Sequence, residues 1–473
     1  MNILFVQTNT VGQLMPLPIG AAMAAKHLER SGHRVRFLDL MGERDPIATA
    51  RRVTAEFRPD LACFSIRNRD NQSLMKYHDP LPGIRDVVNA VREVADRSLD
   101  TSASAPLRRT TRDDDRFDPH TPHAPHVPIL LGGTAFTTFP HRMMDYFGAD
   151  YGIAGDALAP VSRFVASLEN GAPDFDTPGL VYHDEDGRII ANPFQLEGYH
   201  EIDTDYHDFI DAKRYRKTYW DAAIITRSGC PENCEYCDTF RTFGREFILR
   251  DPDAITEEML MLKRARGARS VWLVDAGFNR PLDHAKQVLE AIIRRGAQMQ
   301  LYSVFDPWES DAEFLSLYRQ AGGLMFMMSA ESLSDPVLET LQKKCRFGDI
   351  EREARAIRAA GLDFMLMPAL GSPGETRDTV EESLRRAPGL KAVMTDFGIG
   401  WRIQPDTPMR ARAVREGMIN EEDDCWDAHF YLSPETPLNW LRARLRRYRR
   451  SHAHLGLRML PFVWRAMTRR PAA

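Results

Sequence analysis

The sequence predicts an α/β chain: an N-terminal doubly wound parallel sheet of Rossmann-like type, then a partial parallel (β/α)6 barrel, then a helical C-terminal extension. Three observations predict it. Short apolar runs alternate with amphipathic stretches through the first 165 residues, a second series of such units begins at Ala222, and the chain leaves the barrel for a strongly basic stretch over 438–470. Short buried strands separated by helical patterns mark parallel sheets, whose strands are covered on both faces.

In the first series, assigned to residues 1–165, strands are expected at 2–7, 34–40, 61–66, 128–131 and 151–154, with helices at 18–31, 46–57 and 84–95. Such a sheet carries its ligand at the carboxyl ends of its strands. Those ends read TNTVGQ, SIRNRDN, GGTAFTT and AGDA, glycine-rich or polar throughout. Residues 96–126 hold Ser, Thr, Asp, Arg, Pro and His with almost nothing to bury, so a disordered surface insertion is expected there. Its histidines, His120, His123 and His126, lack the thiolate or carboxylate spacing of a metal site. Residues 166–215 read as a linker with a hairpin in GLVYHDEDGRIIANP.

The second series, assigned to 216–410, has strands at 222–226, 270–275, 300–304, 324–329, 364–370 and 397–403, and helices at 255–266, 283–295, 311–320, 335–343, 350–360 and 376–386. Six βα units in succession predict a partial or closed barrel with its active site at the strands' C-terminal ends. Residues 411–473 are expected to be helical. The stretch 438–470 interleaves Trp440, Tyr448, Phe462 and Trp464 with arginines, and reads as an amphipathic helix docked on the body. Packing over the barrel mouth, or contact with an acidic substrate or a membrane surface, are the alternatives.

Composition narrows the class. A hydrophobic fraction of 43% and a charged fraction of 27% over 473 residues suit a soluble globular protein. A net charge of −5, from 62 basic and 67 acidic residues, gives no reason to expect nucleic acid as a partner. No run reaches the ~18 apolar residues of a membrane span, and the N-terminus lacks the basic region of a signal peptide. A cytoplasmic location is expected, where a cysteine cluster serves a metal or catalysis rather than a disulfide.

The chain has 6 cysteines, and the stretch GCPENCEYC holds Cys230, Cys234 and Cys237 in the loop after the first barrel strand. Three thiolates fall short of the four ligands of a structural zinc site. Cys63 and Cys345 stand far off, as does Cys425, whose DDCWD surroundings read as surface, so a fourth ligand is not forced. On a cubane cluster, three thiolates leave one iron open to a ligand. Tyr236 would lend an aromatic face beside it.

This C-x3-C-x2-C loop, with an aromatic before its third cysteine and a six-unit βα series behind it, resembles the radical S-adenosylmethionine superfamily. The resemblance implies a [4Fe–4S] cluster on the three cysteines and S-adenosylmethionine chelated on the open iron, cleaved by one electron to a 5′-deoxyadenosyl radical. It also implies cofactor contacts at three further strand ends: Asp275 in DAGFN, where the usual Gly-Gly-Glu is absent; Ser329 and Glu331 in SAES; and Gly371 in GSPGET.

The N-terminal sheet is similar to the cobalamin-binding domains of the B12-dependent branch of that superfamily, and the domain order matches. The resemblance implies contacts at Thr8, Ser65, Gly132, Gly133, Thr134 and Gly155, with the glycines admitting the nucleotide tail. The loop after the first strand has no histidine to ligate cobalt, which implies a lower face free of protein imidazole. Arg67, Asn68 and Arg69, after the third strand, are the candidates to face it. A Gly-x-Gly-x-x-Gly nicotinamide fingerprint is absent.

The implied activity is C-methylation of an unactivated carbon in a small-molecule or natural-product substrate, with methyl passing from S-adenosylmethionine through methylcobalamin and electrons coming from a donor such as flavodoxin or ferredoxin. A cyclase or ring-rearranging enzyme without net methylation is the alternative within the family. A non-catalytic iron–sulfur binding or sensing protein is the alternative outside it.

Overall fold

The protein, a computed structural model, is described over residues 1–11, 17–100, 126–194, 196, 202, 204–215, 220–308, 310–453, 458–460 and 462–463. The N-terminal sheet has seven strands in the order β2-β1-β3-β4-β5-β6-β7: β1 Asn2–Gln7, β2 Arg34–Asp39, β3 Leu61–Ser65, β4 Ile129–Gly132, β5 Tyr151–Ile153, β6 Leu180–His183 and β7 Ile189–Ala191. The first five pair in parallel. The last two are the hairpin expected as a linker, and they run antiparallel onto the sheet's edge through β5.

Alternation along single strands explains the two covered faces. Leu4, Val6, Phe64 and Leu131 pack toward helices Pro46–Phe57, Leu81–Asp100 and Pro140–Phe147. Their neighbours Ile3, Phe5, Cys63 and Leu130 pack toward Ile19–Arg30 and Leu158–Glu169. The insertion expected from residue 96 is corrected at its start, because the helix runs on to Asp100 and the Asp96 carboxylate accepts the Val127 amide at 2.9 Å. Residues 101–125, with His120 and His123, lie outside the described residues, as do Gly12, Gln13 and Trp464. His126 pairs with Asp150 at 2.7 Å.

The second sheet is six-stranded and parallel, and its strands follow chain order: β8 Ala222–Ile224, β11 Ser270–Leu273, β12 Gln300–Phe305, β13 Gly323–Met328, β14 Asp363–Leu366 and β16 Met394–Thr395. Between the first two, β9 Arg227–Ser228 and β10 Ile248–Leu249 form an antiparallel ribbon around the cysteine loop. The strand expected at 397–403 is divided. The sixth position belongs to β16, while β17 Gly398–Ile399 pairs with β15 Ala369–Leu370. Next, β18 Trp401–Arg402 pairs with β19 Phe430–Tyr431, so the extension holds the end of helix Pro408–Arg415 and a β strand before its helix Leu438–Ser451.

One face of this sheet, through Leu273, Phe305, Phe326 and Leu366, packs on the helices. The other carries two cross-strand rows: Trp272–Tyr302–Met325 and, toward the strands' C-terminal ends, Val304–Met327–Met365–Met394. The first row packs with Trp220, Met459 and Phe462. The second row is half-buried, and Met367 beyond it is 44% exposed, so an apolar, methionine-rich wall opens at the functional end of the sheet. Among the described residues no helix is long and apolar enough to cross a membrane.

Candidate functional site

The cysteine loop begins where β8 ends, and a buried arginine sets its course. Arg227 donates to the carbonyls of Gly229 (2.6 Å), Ala276 (2.8 Å), Gly277 (2.7 Å) and Arg280, and lies 4.4 Å over the Phe247 ring. One guanidinium thereby ties the loop's start to the DAGFN turn after β11. Gly229 has φ +82°, and a Cβ there would meet the Glu246 carbonyl at 1.7 Å, so only glycine fits under the ribbon.

Within the loop, Glu235 is buried and was not singled out from sequence. Its carboxylate accepts from Arg412 Nε at 2.7 Å and Gln342 Nε2 at 2.9 Å, its amide donates to the Leu341 carbonyl, and its own carbonyl accepts from the Met409 amide. A charged residue between two cysteines, unable to avoid burial, needs a cation, and that requirement is the signal the sequence offered. Tyr236 stacks on Trp401 at 4.3 Å between centroids, and its phenol hydrogen-bonds Glu331.

Cys230, Cys234 and Cys237 are half-buried free thiols. Burial pushes Cys234 up to about 12, opposed by the Lys343 ammonium, and raises Cys237, whose Sγ lies 3.0 Å from the Thr239 hydroxyl. Cys63, Cys345 and Cys425 are all buried. The surface reading of Cys425 is corrected: at 0% exposure it packs with Val337, Ile403, Met409 and Tyr431, because a left-handed turn at φ 62° folds the flanking aspartates outward while the thiol points in.

Beside Cys234 lies a polar centre on the ends of β12 and β13. Lys343 Nζ is 2.9 Å from Glu331 and donates to Ser329 Oγ at 3.1 Å; Ser329 in turn donates to Glu331 at 2.9 Å. Burial opposes the Lys343 charge, yet the Glu331 and Asp306 carboxylates hold its pKa above the ordinary value. Burial works against ionisation of Glu331 too, but the lysine wins and its carboxyl sits below the usual range. Asp306 goes the other way, raised by burial despite Lys343 and Arg280. Trp308 stands between two cations, with Arg280 and Lys343 each 5.3 Å from its ring. Arg280 also reaches Glu232 of the cysteine loop at 2.5 Å.

Two of the expected contact residues also serve the protein's own structure. Asp275 accepts the Thr226 amide (2.9 Å), the Thr226 hydroxyl (2.5 Å) and the Arg227 amide (3.2 Å), which makes it a latch on the end of β8. At Gly371, φ is +89°, a conformation that favours glycine, and a Cβ would meet the Leu432 side chain at 2.5 Å.

On the N-terminal sheet, the carboxyl edge brings together Thr8, Ser65, Gly132, Gly133, Thr134 and Gly155. Thr8 Oγ1 donates to the Ser65 carbonyl at 2.8 Å, Gly155 N to Thr137 Oγ1 at 2.9 Å, and Thr134 is exposed. A Cβ on Gly133 would meet the Ile66 carbonyl at 2.6 Å, and one on Gly155 would meet Phe194 at 2.3 Å. Of the three residues after β3, Asn68 is half-buried. Arg69 is committed: it pairs with Asp79 at 2.8 Å, donates to the Trp426 carbonyl at 3.1 Å and covers that indole at 4.5 Å. Arg67 has no ion pair or hydrogen bond among the described residues. Its side chain is exposed, and desolvation lowers its pKa from the ordinary arginine value.

The chemistry of these donors suits a multi-iron group better than a single ion. Among the described residues no His, Cys, Asp and Glu side chains converge on one point as a lone metal requires, whereas a cubane takes each thiolate on a different iron. The polar strand ends and the unpaired Arg67 likewise suit a large cofactor laid along the sheet's edge.

Residues 224–387 match the Radical SAM superfamily. The chain carries a radical SAM domain. It is 24% identical over 442 residues to a tryptophan 2-C-methyltransferase of Streptomyces laurentii, covering 80% of this chain and 69% of the relative. It is 21% identical over 450 residues to a cytidylyl-2-hydroxyethylphosphonate methyltransferase of Streptomyces wedmorensis, covering 86% and 80%. The fold is that of the radical S-adenosylmethionine methyltransferase TsrM from Kitasatospora setae, solved with cobalamin and a [4Fe–4S] cluster, with a TM-score of 0.77 at 22% identity over 94% of this chain and 90% of that one.

Proposed function

We propose that this protein is a cobalamin-dependent radical S-adenosylmethionine C-methyltransferase acting on an unactivated carbon of a small molecule. The observation that carries the reading is the joining, in one chain, of a three-thiol loop at the mouth of a radical SAM domain and an open, polar sheet edge with an unpaired arginine. The likeness to two methylating relatives over at least 80% of the chain supports methylation over cyclisation.

Cys230, Cys234 and Cys237 would hold the cluster, with Tyr236 closing one side. Ser329, Glu331 and Lys343 offer a hydroxyl, a carboxylate and an ammonium to the polar groups of S-adenosylmethionine. Thr8, Ser65, Gly132 and Thr134 would receive cobalamin, with Arg67 beneath its cobalt. When bound, the cluster supplies the electron that cleaves S-adenosylmethionine and cobalamin relays the methyl group; the protein orients both and excludes water. The methionine-rich wall offers the substrate an apolar, deformable surface. Electrons would come from a flavodoxin- or ferredoxin-like donor.

The test is anaerobic reconstitution with iron, sulfide and hydroxocobalamin, followed by reduction with S-adenosylmethionine present. Bound iron and cobalt, with both S-adenosylhomocysteine and 5′-deoxyadenosine formed, support the reading. 5′-Deoxyadenosine without S-adenosylhomocysteine would favour the rearranging alternative, and no cleavage at all would favour a binding or sensing protein.

A further inference from the structure

The extension after the second sheet touches both proposed cofactor loops at once, through two adjacent residues. Trp401 and Arg402 form β18, where successive side chains point to opposite faces. On one face, Trp401 stacks on Tyr236, between the second and third cysteines, and its indole N–H donates to Ser372 Oγ at 2.9 Å. On the other face, Arg402 forms a fully buried ion pair with Asp70, 2.8 Å apart with both side chains 2% exposed. Asp70 lies in the loop after β3, next to Arg69. The arginine's remaining donors go to the carbonyls of Ile403 (2.6 Å) and Cys425 (2.8 Å), so its position is fixed from three sides.

We propose that the Trp401–Arg402 pair is a positioning element that sets the loop of Asp70 against the loop of Tyr236, and thereby sets the separation and orientation of the two cofactors; this rests on the cofactor reading above. The neighbouring contacts point the same way. Arg69 covers Trp426, which also packs edge-on against Phe139 at 5.7 Å; Tyr77 meets Phe430 edge-on at 6.2 Å; and Arg412 holds Glu235. Segment 401–431 therefore grips the N-terminal loop with one set of side chains and the cysteine loop with another. Methyl capture by a carbon radical depends on the separation of the two centres, which neither domain can fix alone.

The test compares wild type with Trp401→Phe, Trp401→Ala and the double variant Asp70→Leu/Arg402→Met. The double variant removes the ion pair without leaving a buried charge unpaired. Hydrogen exchange, followed on the full chain without added cofactors, is the first readout. Asp70→Leu/Arg402→Met is expected to speed exchange about tenfold at residues 230–237 as well as at 66–72, and Trp401→Ala to speed it at 66–72 as well as at 230–237, while Trp401→Phe changes little. Acceleration confined to the mutated side, in variants that still unfold cooperatively, overturns the proposal. The second readout is the magnetic coupling between reduced cluster and cob(II)alamin in reconstituted protein, expected to shift in both disruptive variants. Should wild type take up no cobalt, the cofactor reading fails while the exchange result still decides the linkage of the two loops.

Discussion

The Lys343 ammonium lies 2.9 Å from the Glu331 carboxylate and 5.3 Å from the Trp308 ring, and both charges act on the Cys234 thiol. The pair joins the end of β13 to the segment after helix Asp335–Thr340.

Removing one partner is expected to cost far more than removing both. Lys343→Met leaves Glu331 with no cation in a buried site, a loss of about 3–5 kcal/mol. Lys343→Met combined with Glu331→Gln should recover much of it, because no orphan charge remains. Urea denaturation of the cofactor-free protein reads both, and equal destabilisation of single and double variants would show that the pair's charge is irrelevant.

The three loop thiols and the buried thiols should separate cleanly. Cys230→Ala, Cys234→Ala or Cys237→Ala is expected to drop iron from about four per chain to near zero with little change in unfolding of the cofactor-free protein. Cys345→Ala, at a fully buried core position, should keep its iron and lose about 1–2 kcal/mol of stability. Iron analysis beside thermal unfolding checks both halves.

What the sequence disclosed and what it hid divide by range. Strands with continuous apolar runs, such as Asn2–Gln7 and Gln300–Phe305, and a cysteine loop with its own spacing carry their signal locally. The stack of Tyr236 on Trp401 and the pairing of Asp70 with Arg402 join residues far apart in the chain, and no local pattern announces them. Composition also misled. The aspartates around Cys425 are polar enough to suggest surface, yet a single left-handed residue turns the thiol inward. The residues 180–191 read as a linker because a two-strand hairpin looks the same whether it stands free or extends a sheet. Asp275 and Gly371 were legible as special positions, and the structure adds a latch on Thr226 and a close approach to Leu432 that the sequence did not announce.

Glu375 should make stability depend on pH near neutrality. It is 1% exposed, accepts the amides of Gly371 and Ser372 on one oxygen, and keeps the other buried without a partner; burial raises its carboxyl to about 7 despite those two amides. The folded state therefore binds a proton more tightly than the unfolded one. The contribution is full below the unfolded value and is lost as pH rises through about 7, up to about 3 kcal/mol in all. Glu375→Gln cannot ionise, so wild type should lose stability relative to it between pH 5 and pH 8, as read from denaturant midpoints. A difference that stays flat across that range would mean the carboxyl ionises as it does in water.

Arg67 and Arg69 should prove unequal. Arg69 is held by Asp79 and Trp426, so its role is to pin the loop after β3. Arg67, two residues earlier, has no ion pair or hydrogen bond among the described residues, and its guanidinium, which has no lone pair to give a metal, would stand where water would otherwise approach. In protein loaded with hydroxocobalamin and reduced to cob(II)alamin, Arg67→Ala is expected to convert an axially unligated electron paramagnetic resonance spectrum to a water-ligated one at unchanged cobalt content. Arg69→Ala should instead lower cobalt content and leave the spectrum of the remaining cofactor alone. If Arg69→Ala changes the ligation and Arg67→Ala does not, the arginine beneath the cobalt is Arg69, and its pairing with Asp79 must break when cobalamin binds.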